Sequence, residues 1–373
     1  MTLLYITNSR IPTEKAHGIQ VMKMCEALAK ESNVELVVPE RYNWIKERPF
    51  DYYGIAETFR IKKLPCLDLI RFHKHIGHFG LWLEGLTFFF PALIYIIFKK
   101  ADIIYSRDKF LLPFSFFKKN IIFEAHTFPK RYFLYFPFLK KLKGMVVITH
   151  GLKNLFVKNG ISPEKILVAP DGVDLTKFEI RSTKSETRRM LNLPLDKKIV
   201  LYAGHLYEWK GVQTLSEASQ YLPENVDVYF VGGTKEDVEK FKIKNLNVVG
   251  HRPYPEIPLW LQAADVLVLP NSGKEEISRK WTSPLKMFEY MASGIPIVAS
   301  DLPSIREVLN EDNAVLVEPD SPEKLAEGIK IVLQDHNLSD KILAKAFEDV
   351  KEFTWQKRAQ KIYENCFLEK NKK

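Results

Sequence analysis

Cysteine is scarce in this chain. Its three residues, Cys25, Cys66 and Cys366, are far apart and odd in number. They supply neither a disulfide framework nor a metal-ligand spacing, so a reducing cytoplasm is the simplest setting. Long hydrophobic runs are also missing. The longest, Gly85 to Phe98, is about 14 residues where a membrane-spanning helix needs about 20. Glu84 and Lys99-Lys100 bound it and Pro91 interrupts it. It reads as a buried helix of an α/β domain, with partial insertion into a membrane surface as the alternative. Low-complexity segments and repeats of solenoid period are lacking. Leu3-Leu4-Tyr5-Ile6 follows Met1 with no basic flank, which reads as a first strand and gives no sign of a leader peptide. The glycine spacing and Lys-Ser/Thr pair of a Walker loop are absent.

The length, 373 residues, suits two domains, and 46% hydrophobic with 27% charged residues is ordinary for a folded globular chain. The net charge of +9 is unevenly spread. Residues 1–185 carry 29 Lys and Arg against 17 Asp and Glu, and the rest carry 26 against 29. The basic half is also aromatic, at Phe110 to Lys119, Arg131 to Phe136 and Lys140 to Lys143. Cations beside exposed aromatics suit an anionic membrane surface. They would also suit single-stranded nucleic acid, which is not expected here, or a solvated face over an aromatic core.

Short apolar runs alternate with longer amphipathic ones, the pattern of parallel sheets wrapped by helices. Strands are expected at Leu3–Thr7, Val34–Val38, Asp102–Tyr105, Asn120–Glu124, Met145–Thr149 and Ile166–Ala169. Helices are expected between them, for example Ile19–Lys30 and Gly151–Asn159. A polar stretch, Asp171 to Arg189, reads as a linker. The pattern resumes with strands at Lys198–Gly204, Val226–Gly232, Asn247–Val249, Val266–Leu269, Pro296–Ala299 and Ala314–Val317. Asp320-Ser321-Pro322-Glu323 has the form of a helix start, a cap followed by proline. The expectation is α/β: two doubly wound Rossmann-like domains, 1–180 and 190–354, facing across a cleft, with ligands beyond the carboxyl ends of the strands.

Four segments carry candidate chemistry. In Ser283-Pro284-Leu285-Lys286 with Glu289, Ser283 reads as an N-cap and Pro284 as the first residue of a helix that stops at Gly294. The start of such a helix presents free N–H groups and a positive dipole end to a phosphate. Lys286 in the first turn opposes the dipole unless an anion is bound. Glu289 can accept two hydrogen bonds from vicinal hydroxyls. In Gly204-His205-Leu206-Tyr207-Glu208-Trp209-Lys210-Gly211, a lysine at a strand-to-helix turn can pair with a diphosphate. His17-Gly18 ends the first strand-to-helix loop, where glycine permits close backbone approach. Glu124-Ala125-His126 places a carboxylate and an imidazole at a strand's carboxyl end. His73, His75 and His78 form a loose cluster that no carboxylate or cysteine completes, so no metal is expected.

Taken together with Pro170-Asp171-Gly172-Val173-Asp174, Gly250-His251-Arg252, Ala264-Asp265-Val266 and Pro296 to Asp301, these segments resemble the retaining GT-B glycosyltransferases of glycosyltransferase family four. The resemblance runs over nearly the whole chain, and its most specific part is the block Ser-Pro-Leu-Lys-x-x-Glu-Tyr-Met-Ala. It implies a hexosyl-type transferase that moves a sugar from a nucleotide-diphosphate donor to an acceptor hydroxyl with retention. It implies no cofactor, and a role in cell-envelope polysaccharide or glycolipid synthesis. The acceptor would be a glycan or lipid-linked saccharide, met in the cytoplasm or on the inner face of the cell membrane. The implied catalytic set is His126, Lys210 and Glu289. The implied donor-binding set is His17, Gly18, Gly204, His205, His251, Arg252, Ser283, Leu285 and Lys286. By the same resemblance, Glu289 holds the ribose, the Leu285 N–H meets a phosphate, Lys210 meets the diphosphate and His126 meets the transferred sugar. A last helix, 355–373, would pack back on the N-terminal domain. Trp281 stands where the family commonly has a sugar-binding glutamate, so Glu275, Glu276 or Lys280 is the candidate to replace it. His205 stands where the family has an arginine. A sugar-nucleotide epimerase and a non-catalytic sugar-nucleotide-binding partner of another transferase are the alternative functions.

Overall fold

The computed structural model describes residues 1–68, 73–179, 182–241 and 246–368. The side chains of residues 73–82 and 240 lie outside the described set, and with them the histidine cluster at 73, 75 and 78. The chain divides into two compact units, Met1–Ala169 with Trp355–Lys373, and Pro170–Thr354.

The first unit is built on seven parallel strands: β1 (Thr2–Ile6), β2 (Asn33–Glu40), β3 (Arg60–Pro65), β4 (Ile103–Ser106), β5 (Ile121–Ala125), β6 (Gly144–Val147) and β7 (Ile166–Val168). Their order is β3-β2-β1-β4-β5-β6-β7, so the direction of winding reverses between β1 and β4. The inner strands are covered on both faces, which is why β4, β5 and β6 read as unbroken apolar runs rather than alternating ones. The sequence did not reveal β3. It is an edge strand, Arg-Ile-Lys-Lys-Leu-Pro, whose lysines and terminal proline protect an open edge and obscure its strand character.

Three helices of this unit matter below. α1 (Ala16–Leu28) starts earlier than the sequence suggested, so His17 and Gly18 lie in its first turn and not in the loop before it. α2 (His73–Phe98) runs for 26 residues straight through Pro91. Phe88, Ala92 and Ile96 on one stripe are buried, while Phe90, Ile94 and Phe98 on the other are exposed. The expected buried helix is therefore covered on one side only. Among the described residues no helix is long and apolar enough to cross a membrane. α3 (Tyr132–Leu139) follows β5.

The second unit holds six parallel strands: β8 (Lys198–Ala203), β9 (Val226–Val231), β10 (Asn247–Gly250), β11 (Val266–Leu269), β12 (Ile297–Ser300) and β13 (Val315–Val317). Their order is β10-β9-β8-β11-β12-β13, again with a reversal, between β8 and β11. The stretch expected as a linker is instead part of this unit. Val173 bridges to Thr354, and its N–H reaches the Phe353 carbonyl at 2.9 Å. α4 (Lys184–Met190) is nucleated by a capping box, Thr183 with Glu186. It is anchored by buried Arg188, which donates to the Ala263 carbonyl at 2.9 Å and to Asp265 at 2.6 Å. Few apolar residues made the segment look unstructured, yet its anchor is polar and fully satisfied.

α5 (Leu285–Ala292) sits in the crossover between β11 and β12 and is buried over nearly its whole length. Farther on, Ser321 caps helix Pro322–Gln334 with its hydroxyl on the Lys324 N–H at 3.3 Å, as Ser-Pro at a helix start predicts. The chain ends with α6 (Trp355–Ile362), which belongs to the first unit and packs on α1.

Candidate functional site

In the second unit the carboxyl end of β8 opens into Gly204, whose φ of +139° is accessible to glycine. A 3₁₀ turn, Glu208–Lys210, then leads into Gly211 at φ +70°. A Cβ on Gly211 would stand 1.7 Å from the Pro270 carbonyl oxygen, so only glycine lets the loop press against the chain after β11. This loop holds Lys210 inward, its Nζ 5.4 Å from the ring centres of both Tyr207 and Trp209. A Cβ on Gly204 would lie 3.8 Å from that Nζ, so the ammonium hangs over bare backbone. Burial lowers the Lys210 pKa to about 8, with Asp237 partly offsetting the shift. His205 stacks on Tyr207 with ring centres 5.0 Å apart, and its Nδ1 approaches Asp237 to 3.7 Å.

α5 brings a second lysine to the same place. Its cap is Pro284, in extended conformation, and no side chain closes the first turn. Ser283 is not the N-cap that its sequence position suggested; its hydroxyl accepts the Asp171 N–H at 3.2 Å instead. The helix starts at Leu285, and the Met287 N–H turns back to the Pro284 carbonyl at 2.9 Å, which leaves Leu285 and Lys286 at its open end. Lys286 is buried, its Nζ lies 3.7 Å from the centre of the Tyr202 ring, and no hydrogen-bond acceptor among the described residues meets it. Burial holds its pKa well below that of an ordinary lysine, Lys210 adds to the shift and Glu289 opposes it. One turn on, buried Glu289 has its pKa raised to about 7 by desolvation, against the pull of a hydrogen bond from Tyr254 and the charge of Lys286. Tyr290 fixes the helix to the end of β8 by accepting the Ala203 N–H at 2.8 Å.

The structure thus brings Gly204, His205, Lys210, Leu285, Lys286 and Glu289 together at the carboxyl ends of β8 and β11. It adds Tyr254 and Tyr202, to neither of which the sequence reading gave a role; their signal was only that each is an aromatic at a strand end or loop. It does not add His251 and Arg252 to the buried set. Both are exposed, and the Arg252 guanidinium rests 5.7 Å from the Trp260 ring centre. Of the proposed replacements for the glutamate at 281, Glu276 and Lys280 pair with each other at 2.9 Å on an exposed turn. The Trp281 indole N–H is buried without an acceptor among the described residues.

In the first unit, Glu124 at the end of β5 is completely buried and gathers four groups. Arg358 of α6 grips both its oxygens, at 2.9 and 3.4 Å. Gln20 of α1 donates at 2.5 Å, Tyr105 of β4 adds a short hydrogen bond, and His126 meets it through Nε2 at 2.6 Å. Arg107 supports Gln20 from behind at 2.6 Å. Arg358 first and His126 next hold the Glu124 carboxyl well below the usual range against the penalty of burial. His126 is therefore oriented through one ring nitrogen by an ionised carboxylate. Gly18 has a structural reason to be glycine: a Cβ there would fall 2.2 Å from the Tyr53 hydroxyl. That hydroxyl accepts the Thr13 N–H and donates to the Thr13 carbonyl, so it has no room to yield.

Comparison with solved structures fits this architecture. Sucrose-phosphate synthase from Thermosynechococcus elongatus superposes with a TM-score of 0.76 over 97% of both chains at 18% identity. HepE of Anabaena, solved in complex with UDP-glucose, superposes with a TM-score of 0.73 over 98% of both chains at 16% identity. The fold is GT-B. Within the GT-B chain, residues 197–335 match the family described as Glycosyl transferases group 1, which takes in Lys210, Lys286 and Glu289. TuaC of Bacillus subtilis, a putative teichuronic acid biosynthesis glycosyltransferase, is 31% identical over 165 residues. That match covers 43% of this GT-B chain and 40% of TuaC, so the chain spans well under half the length of that relative.

Proposed function

We propose that this protein is a glycosyltransferase that moves a hexosyl group from a nucleotide-diphosphate sugar to an acceptor hydroxyl with retention of configuration. The observation that carries this reading is the pair of buried lysines, Lys210 and Lys286, beside the uncapped start of α5. Two desolvated lysines and the open start of a helix face one buried carboxyl, Glu289, whose own pKa is raised, so the site has room for a further anion, and a diphosphate fits that charge and size. Glu289, beyond the first turn, supplies the acceptor for a ribose diol. The local match to Glycosyl transferases group 1 over residues 197–335 supports the same assignment.

Catalysis would then consist of stabilising the leaving diphosphate. As the bond between anomeric carbon and phosphate oxygen breaks, charge grows on that oxygen. Lys210, Lys286 and the α5 N–H groups already face it in a dry setting, where fixed charges act most strongly. The anomeric carbon becomes oxocarbenium-like, and the acceptor hydroxyl attacks from the face that the leaving group vacates. Its proton passes to the departing phosphate. The resemblance assigns His126 the contact to the transferred sugar, and the Glu124 hydrogen bond sets the orientation of that imidazole. The protein's own cations do the work a metal would do in other transferases. We further propose that the acceptor is a lipid-linked saccharide of a cell-envelope polymer, used at the inner face of the membrane.

Thermal-shift titration with a panel of sugar nucleotides identifies the donor, because a ligand stabilises the fold according to its concentration over its dissociation constant. With that donor, Lys210→Ala and Glu289→Ala should each abolish most turnover, and full activity in both would remove the site from consideration. Incubation with donor alone separates transfer from epimerisation: an epimerised nucleotide sugar formed without acceptor overturns the proposal.

A further inference from the structure

The helix α2 is apolar on two opposite sides. Phe88, Ala92 and Ile96 cover the sheet, while Leu86, Phe90, Ile94, Ile97 and Phe98 form an exposed stripe at helical spacing. Phe98 is 83% exposed. A helix that is apolar all round belongs between two apolar environments, and here one of them is missing.

Neighbouring elements extend that stripe. The 3₁₀ segment Lys109–Phe116 packs on α2 through Phe89 and Phe114, ring centres 4.7 Å apart. It packs on α3 through Phe116 and Phe138 at 5.0 Å. At its end Phe117 is 77% exposed, and on α3 Phe133 is 72% exposed. Cations lie between these rings. Lys141 Nζ sits 3.7 Å from the centre of Phe116, and Lys140 Nζ sits 4.9 Å from that of Phe136. Residues 109–143 contain eight Lys and Arg and a single acid, Glu124, which is buried against Arg358 and shows no charge to this surface.

We propose that the outer stripe of α2, together with Phe117 and the exposed side of α3, is a docking face for an anionic lipid bilayer. The helix would lie in the plane of the interface, its aromatic and aliphatic side chains among the acyl chains and its lysines at the phosphates. The charge selects this occupant. A second copy of the chain seated on the same face would set one cationic surface against another. A lipid phosphate layer neutralises the lysines while its acyl region takes the stripe. This inference stands apart from the proposed chemistry, since a chain that binds vesicles but transfers no sugar would leave it intact.

The test is co-sedimentation of the full-length chain with vesicles of phosphatidylcholine alone and of equimolar phosphatidylcholine and phosphatidylglycerol. Binding is expected only with phosphatidylglycerol present, and it should fall as salt rises. Each lysine near such a surface contributes about a fivefold gain in partition, so Lys119→Ala with Lys140→Ala should lower it by about twenty-five-fold. Phe98→Glu with Phe117→Glu should lower it further without changing the unfolding transition, because both side chains are already in water. Equal binding to both vesicle types, or binding that ignores all four substitutions, overturns the proposal. So does a dimer in sedimentation velocity that the Phe98→Glu, Phe117→Glu chain no longer forms, if vesicles bind neither protein. Nucleoside diphosphate binding by the variants, measured in parallel, shows that the fold is retained.

Discussion

Lys286 directs its amine at the face of Tyr202, 3.7 Å from the ring centre, and has no hydrogen-bond acceptor among the described residues. A ring quadrupole attracts a cation, but by less than the loss of water and of a counter-charge costs. The side chain is thus held for a ligand at the expense of the empty fold. Lys286→Met should raise the unfolding free energy by roughly 1–2 kcal/mol, the scale of one unsatisfied buried polar group. The same change should weaken nucleoside diphosphate binding by about ten- to a hundredfold, the worth of a charged hydrogen bond. Urea unfolding without ligand and calorimetric titration give the two numbers. Destabilisation of the empty protein would show that the amine serves the fold.

Glu289 gives a pH dependence whose sign follows from its raised pKa of about 7. Between the unfolded value near 4.5 and that folded value, the native state holds a proton that the unfolded chain has released. Stability contributed by this site therefore falls as pH rises across that window and is level above it. The full amplitude is on the order of 3 kcal/mol for a shift of this size. Glu289→Gln should remove it: the variant gains on the wild type from about pH 4.5 to about 7, with no further gain above. Urea unfolding at stepped pH reads this difference directly. A constant offset at every pH would mean that Glu289 is ionised throughout.

Much of this was legible in the sequence, and what was not has physical causes. Twelve strands show as apolar runs because parallel sheets bury both faces. Only β3 escaped, since an edge strand is selected for lysine and proline. Ser283-Pro284 marks the start of α5, but a serine hydroxyl can serve the N–H of Asp171, far away in sequence, as well as its own helix. Local pattern cannot distinguish the two. Arg358 was invisible for a related reason: its partner Glu124 lies 234 residues away, and nothing near either residue announces the pair. Segment 171–189 looked like a linker because a buried arginine, not an apolar stripe, holds it.

The two glycines Gly211 and Gly294 share a left-handed φ, +70° and +66°, but not their surroundings. At Gly294 no atom of the described residues lies within 4 Å of an added Cβ, so Gly294→Ala should cost only the conformational term, about 1–2 kcal/mol. At Gly211 that Cβ would meet a backbone carbonyl oxygen at 1.7 Å, and backbone cannot step aside as a side chain can. Gly211→Ala should cost clearly more than Gly294→Ala and should displace Lys210, weakening nucleotide binding, which Gly294→Ala leaves unchanged. Equal melting temperatures for the two variants would mean that the loop gives way.

Arg358 and Glu124 form a buried long-range ion pair in the first unit, joining α6 to the end of β5. Removing one partner of a buried ion pair strands the other charge, so Arg358→Ala should destabilise by about 3–5 kcal/mol. Removing both charges with shape kept, Glu124→Gln with Arg358→Met, should cost less than Arg358→Ala alone, because the penalty lies in the stranded carboxylate. Hydrogen exchange localises the effect: amides of Ile121–Ala125 and of α6 should exchange faster in Arg358→Ala, while those of β8 to β13 keep their protection. The pH sign is opposite to that of Glu289. Glu124 is held well below the ordinary carboxyl range, so its stabilisation is fully present above about pH 4.5 and is lost only as pH falls through the folded value. Wild-type α6 should accordingly stay protected at mildly acidic pH and open below it. In Glu124→Gln with Arg358→Met that acid step should vanish, and a persisting step would place the titrating group elsewhere.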